Sequence, residues 1–296
     1  MTFQNPFVRH LYWAISSDDL ANIEGVCSLP RPENSQLLTW CREIDTKPEL
    51  FESFLEENEH RLLGSYFEVI WQFFCRYFPE WQCLGSRIQI PAKGPTLGEL
   101  DMICVPPDGL ARHVELAVKF YLRHPNQSGD QPSHWLGPRI KDRLDLKLNK
   151  LSEKQFRIIE QPITQATLEA QGLPVAPSPC SVVKGYLFDP LDASTTKWPK
   201  EVGKPSHCGQ WLPAQDIHKI AYRSKHWCII DKHQWLGPYE QDDDEVTYSS
   251  ESLIAKVHNH FLQPNYALML IAVSAQSNGW YEDERYMVVM NGWPQI

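Results

Sequence analysis

The chain has 296 residues, 42% of them hydrophobic and 22% charged, with a net charge of −9. That length supports a sizeable core with an appended lobe, the acidity argues against a generic DNA-coating protein, whose affinity comes from neutralising phosphates, and no stretch approaches the ~18–20 apolar residues of a membrane span. The first residues, MTFQNPFVRHLYWAISS, lack a basic segment followed by an apolar run, and the eight cysteines are scattered without a CxxC, so the expectation is a cytoplasmic protein with reduced, partly buried thiols.

Residues 1–50 read as a polar helical segment broken at Pro30 and Pro32, with short helices over Leu20–Val26 and Gln36–Glu43. From Pro48 one long helical pattern runs to Phe78, where Pro79 stops it. Its first half is acidic on one face, and its second half is apolar nearly all round and should be buried. Glu68 falls in that apolar half, between Phe67 and Val69. A buried carboxylate needs a partner: a metal, Lys119, or an arginine such as Arg76.

A short alternating strand, Arg87–Pro91, leads through the loop AKGPTLG into the most informative stretch, Gly98–Leu122. Gly98–Val105 is rich in β-branched and apolar residues, and Pro106, Pro107, Asp108 and Gly109 are turn formers. His113–Leu122 then alternates. Val114, Leu116, Val118, Phe120 and Leu122 share one face, and His113, Glu115, Ala117, Lys119 and Tyr121 share the other. If Asp101 pairs across from Ala117, Glu115 and Lys119 become its diagonal neighbours and Glu99 lies across from Lys119. A slip of one residue dissolves that cluster. The plainer alternative is a half-solvated hairpin with a charged outer face.

A helix carrying a glutamate, followed by a hairpin carrying Asp and Glu…Lys, resembles the PD-(D/E)XK nuclease-like superfamily. The layout is also similar to DUF1853, a bacterial family of unknown function with that core. The resemblance covers roughly residues 50–190. It implies a restriction-endonuclease-like α/β core in which Asp101 and a glutamate hold a divalent metal, Mg²⁺, and Lys119 orients or activates the attacking water. Glu68 is where a helix glutamate would complete the metal site. The usual Glu, two residues before the Lys, is Ala117 here, and Glu115 stands two residues further back on the same face. Either the carboxylate has migrated to Glu115 or the site is degenerate.

After Leu122 a polar loop runs to Pro138, with the composition of a mobile or functional loop. Arg139–Ile159 reads as an amphipathic helix with Ile140, Leu144, Leu148 and Leu151 as its stripe. Lys147, Lys150, Lys154 and Arg157 make it the most basic segment, and Lys147 and Lys150 are the candidates to bind substrate phosphates; the alternative is an ordinary solvated face. Cys180–Phe188 reads as a buried strand of the same sheet. Beyond Pro190 the chain is rich in Pro, Trp and His and is expected to form an α/β lobe, residues 191–296, packed on a core of residues 51–190. Gln241–Glu245 is an acidic loop without calcium-loop spacing, and Ser250–Leu262 is a helix followed by two closing strands, Ala267–Ala275 and Glu284–Asn291. No phosphate-binding glycine loop, nucleophile elbow or zinc motif is present.

Three functions compete. The first is a metal-dependent nuclease-like enzyme hydrolysing phosphodiester bonds, with nucleic acid as its partner. The second is a catalytically degenerate protein of that fold, serving as a binding or scaffold module. The third is a carbohydrate-active enzyme with paired carboxylates and Trp platforms, for which no motif speaks.

Overall fold

Patterned apolar residues set the elements in chain order. A computed structural model describes residues 3–58, 60–92, 94–193, 195–202, 207–242, 247–276 and 279–295, with the backbone alone at 92 and 94–96. Helix α1 (Pro6–Ser16) buries Val8, Leu11, Ala14 and Ile15, spaced at three and four residues. Leu20–Val26, expected as a helix, is not one. Its start is tied down instead. The Leu20 amide donates to the Val183 carbonyl, and Lys184 Nζ pairs with Asp19 at 3.2 Å. Strand β1 (Cys27–Ser28) follows, and Cys27 is disulfide-bonded to Cys180 with Cα atoms 4.9 Å apart. This corrects the expectation of eight reduced thiols; the other six are not in disulfides. The bond joins residues 153 apart in sequence, a distance that local spacing does not report.

Helix α2 (Asn34–Thr46) contains the expected Gln36–Glu43 segment. The single helix expected from Pro48 to Phe78 is two, α3 (Glu49–Glu57) and α4 (Leu63–Tyr77). Asn58 ends the first by donating its side-chain amide to the Phe54 carbonyl at 2.7 Å. Ser65 opens the second, its hydroxyl bonding both the amide and the carbonyl of Leu62. Short polar side chains break helices in this way, by competing for backbone groups. From Tyr66 to Cys75 every residue of α4 is buried except Glu68.

Strands β2 (Gln82–Ala92), β3 (Gly94–Val105) and β4 (Arg112–Arg123) pair antiparallel in that order. The turn between β3 and β4 closes with the Gly109 amide on the Pro106 carbonyl, and Gly109 takes φ 74°, which glycine adopts without strain. β4 is buried along nearly its whole length on both faces. It is therefore an interior strand, not half of a solvated hairpin. The polar loop after Leu122 is held down rather than loose: β5 (Trp135–Leu136) buries Trp135, whose Nε1 donates to the Gly129 carbonyl at 2.8 Å.

The expected helix over Arg139–Ile159 is shorter and irregular. It consists of α5 (Leu144–Lys150), a π turn at Leu151–Gln155 and a 3-10 turn at Arg157–Glu160. Ile140 lies ahead of it at φ 68°, off the expected stripe. Then come α6 (Pro162–Ala170), β6 (Ser178–Pro190), β7 (Cys208–Pro213), α7 (His218–Ala221), β8 (His226–Ile230), β9 (Glu240–Gln241), α8 (Ser250–His260), β10 (Leu268–Gln276) and β11 (Gly279–Val289). Ser249 caps α8 by accepting the Ser252 amide at 3.3 Å. Of the acidic run Gln241–Glu245, residues 243–245 lie outside the described residues.

The result is a mixed α/β fold with a large mixed sheet. The chain divides into two compact units. The first comprises Phe7–Val118 and Leu146–Lys184; the second comprises Lys119–Asp145 and Gly185–Ile296 with the first residues of the chain. Strands β4 and β6 pass from one unit into the other. In the first unit α4 lies against β2 and β3, and Ile159 of the 3-10 turn and Leu168 of α6 cover Ile88, Ile90 and Leu100. In the second unit β6, β7 and β11 run parallel side by side, and β10 and β8 continue antiparallel. Leu212, Ile217, Trp227, Leu253, Val257 and Leu270 are among the residues that fill its core. Among the described residues, no helix is long and apolar enough to cross a membrane.

Candidate active site

Strand register decides which ionisable side chains meet in the first unit. β3 and β4 pair Met102 with Val114, Ile103 with His113 and Cys104 with Arg112. Continued by one residue, that register sets Asp101 across from Glu115, not from Ala117 as expected. The difference is two residues, so Asp101 and Glu115 keep a common face. On its other side β3 pairs Met102 with Ser86 and Leu100 with Ile88, which makes Arg87 level with Asp101. Three charged side chains thus stand in a row across three strands. Arg87 also holds φ 50°, a conformation uncommon for a residue with a side chain.

Glu68 of α4 reaches this row, with Arg87 Nε 3.3 Å from its Oε2. Arg76, the arginine suggested by sequence, instead lies over the Phe54 ring, 5.5 Å from its centroid. Glu99 sits across from Gln89 and accepts its amide, not Lys119.

The acid pair is buried and specifically bonded. Asp101 Oδ2 accepts the Leu116 amide at 2.8 Å. Glu115 is fully buried; its Oε1 is 3.0 Å from His113 Nε2, and its Oε2 accepts the Gln155 side-chain amide. The two carboxyls also act on each other electrostatically, the Glu115 charge opposing ionisation of Asp101. Burial, reinforced by the Glu115 charge, pushes Asp101 from 3.8 up to about 7. Burial raises Glu115 from 4.5 to about 7, against the pull of Lys147. Burial, with the Asp101 charge behind it, raises Glu68 from 4.5 to about 7, although Arg87 pulls it down. Three carboxyls in one unit therefore exchange protons near neutral pH, where ordinary carboxyls are fully ionised. His113 is the opposite case. Burial drives it down to about 4, so its ring is neutral, and Nε2 shares a hydrogen bond with Glu115.

Two lysines complete the electrostatics. Lys147 draws both Asp101 and Glu115 toward their ionised forms, and Lys150 acts on Glu115. Lys147 Nζ also donates to Gln155 Oε1 at 3.3 Å. Gln155 closes the π turn, a distortion that re-aims side chains relative to a regular helix and is frequent at functional sites. Lys119, further along β4, is ion-paired with Asp142 at 2.6 Å, and Tyr121 donates to the same carboxylate at 3.3 Å. Among the described residues, no three His, Cys, Asp or Glu side chains are arranged as a ready-made metal cage.

Of the residues singled out in the sequence, Glu68, Asp101, Glu115, Lys147 and Lys150 act on one another in this structure, whereas Lys119 is paired with Asp142. Arg87, whose alternation with Ile88 and Ile90 was the available signal, and Gln155, for which there was none, were not singled out.

A mixed α/β protein with a buried pair of carboxyls on neighbouring strands of its sheet is the class that this geometry defines. Residues 9–289 match a domain of unknown function, DUF1853, and the chain belongs to that family. No curated protein and no solved structure matches the chain.

Proposed function

We propose that the protein is a metal-dependent, nuclease-like phosphodiesterase built on a restriction-endonuclease-like core within residues 51–190, as its resemblance to the PD-(D/E)XK superfamily implies. The observation that supports this most is the buried Asp101–Glu115 pair on neighbouring strands, with Lys147 and Lys150 acting on it. The donors fit Mg²⁺. They are carboxyl oxygens, the hard ligands this ion takes, and Mg²⁺ is commonly held by one or two carboxylates while keeping its waters and binding substrate phosphates. A pair that holds a proton at neutral pH is also a place where added positive charge is favoured. Asp101 and Glu115 would hold the ion, with Glu68 as an outer ligand. Bound there, it would polarise a phosphoryl oxygen and lower the pKa of a water.

The chain's own residues do the remaining work in this reading. His113 and Gln155 fix the Glu115 carboxylate. Lys147 and Lys150 attract nucleic-acid phosphates in a protein otherwise acidic. Lys119 is the water-orienting residue of the resembled pattern, but Asp142 competes for it, and Lys147 is the cation that acts on both acids.

A degenerate, binding-only protein is the second reading. It is favoured by Ala117 at the usual Glu position and by the engagement of both Glu115 oxygens. Calorimetric titration with MgCl2 and MnCl2, then cleavage assays on single- and double-stranded DNA and RNA, separate the two. Metal binding that is lost in Asp101→Asn, together with metal-dependent cleavage, supports the enzyme. Metal binding without cleavage supports the second reading, and no metal binding at pH 8 defeats the first.

A further inference from the structure

The second unit carries a cleft of about 670 Å³ that nothing above uses. It lies where the 3-10 turn Lys232–Trp235 after β8 meets α8 and the segment leading into β10. Its lining combines two lysines and two histidines with two tyrosines: Lys232, Lys256, His233, His260, Tyr248 and Tyr266. In a chain of net charge −9 that is a local reversal of sign. The acid in the lining is Asp231, whose backbone amide donates to the Gln234 side chain at 3.1 Å and whose carbonyl accepts the Gln234 amide at 2.9 Å.

The cations and rings are paired. Lys232 Nζ lies 5.5 Å from the Tyr266 ring centroid, and Lys256 Nζ lies 5.4 Å from that of Tyr248. Each pair places an ammonium beside an aromatic face. Tyr266 is 53% exposed, so ring surface remains for stacking. Its position is fixed from behind, where His260 Nε2 donates to its carbonyl at 2.8 Å. Lys232 is also held below its ordinary pKa, first by partial burial and then by the charge of Arg139. A bound anion would relieve that crowding of cations.

We infer that this cleft binds a nucleoside phosphate, its phosphate between Lys232 and Lys256 and its base against Tyr266. A phosphate needs the ammonium groups; a base needs the aromatic face. Stacking of this kind tolerates any base, since each has a π face. The same unit can come as a free nucleotide or as one residue of a single strand. The inference stands on the second unit alone and does not depend on the phosphodiesterase reading.

The test uses the full chain in EDTA, so that no metal-dependent cleavage intervenes. Probes are AMP by calorimetry, and a labelled 12-mer of deoxyadenosine with its abasic counterpart by fluorescence anisotropy. The wild type is expected to bind AMP or the 12-mer at least about tenfold more tightly than the abasic strand. AMP binding assigns a free nucleotide; binding of the 12-mer alone assigns a strand. Tyr266→Ala should lose about tenfold in affinity while Tyr266→Phe keeps it. Lys232→Ala with Lys256→Ala should weaken binding about tenfold and, for the strand, flatten the log–log salt dependence by about 1.4, the slope of two phosphate contacts. All three variants lie at the surface, and unchanged thermal melts confirm their folding. Failure of the wild type to bind either probe, equal binding of the abasic strand, or unchanged affinity in the double lysine variant overturns the inference.

Discussion

Replacing Asp101 by Asn tests the buried acid pair directly. In the folded chain Asp101 is raised from 3.8 to about 7 by burial and by Glu115. An acid whose folded value is raised contributes its full stability below its unfolded value and loses it as the pH climbs through the folded one. For Asp101 that loss falls between about pH 4 and pH 7. At 1.36 kcal/mol per unit, a rise of roughly three units corresponds to about 4 kcal/mol. Asparagine is the same shape, its carbonyl can still accept the Leu116 amide, and it never ionises. Its own amide burial offsets part of the gain, so about 2–4 kcal/mol of added stability is expected at pH 8 and close to none at pH 4. Urea unfolding followed by tryptophan fluorescence from pH 4 to 9 reads this as two curves that meet near pH 4, separate as the pH rises toward about 7, and stay a constant distance apart above it. Curves that run parallel across the whole range would show that Asp101 is not held protonated, and the account of the site would fall with it.

Gln155→Leu removes a donor from Glu115, and a buried carboxylate left short of a partner costs about 1–3 kcal/mol; the loss should be largest above pH 7 and shrink as Glu115 takes up a proton. His113 is expected to stay neutral between pH 7.5 and 5.5, because burial lowers it to about 4; ring carbon shifts that move to imidazolium values in that interval would contradict the neutral ring beside Glu115. Gly185 takes φ 141°, and a Cβ there would meet the Lys119 carbonyl oxygen, so Gly185→Ala should lose about 3 kcal/mol or more of stability in urea; wild-type stability would show that the two strands can separate locally at no cost.

The sequence by itself determined the local features whose causes are local. The apolar run of α4 predicts a buried helix because no face of it can remain in water. The Pro-Pro-Asp-Gly turn joins two strands because those residues favour the required backbone angles. The parity of Asp101 and Glu115 followed from the two-residue period of a strand, and it survived a register error because the error was even. Tertiary structure decided what distant segments do to one another. The register of β3 on β4 was set by the sheet as a whole, and it brought Asp101 opposite Glu115 and Arg87 level with both. The break at Asn58 and the π turn at Leu151–Gln155 interrupted two helices whose periodicity read as continuous. Lys119 met Asp142, 23 residues away in sequence, and Cys27 met Cys180 across 153. The raised carboxyls exist only in the folded chain, because burial supplies their largest cause and burial is a property of packing rather than of composition.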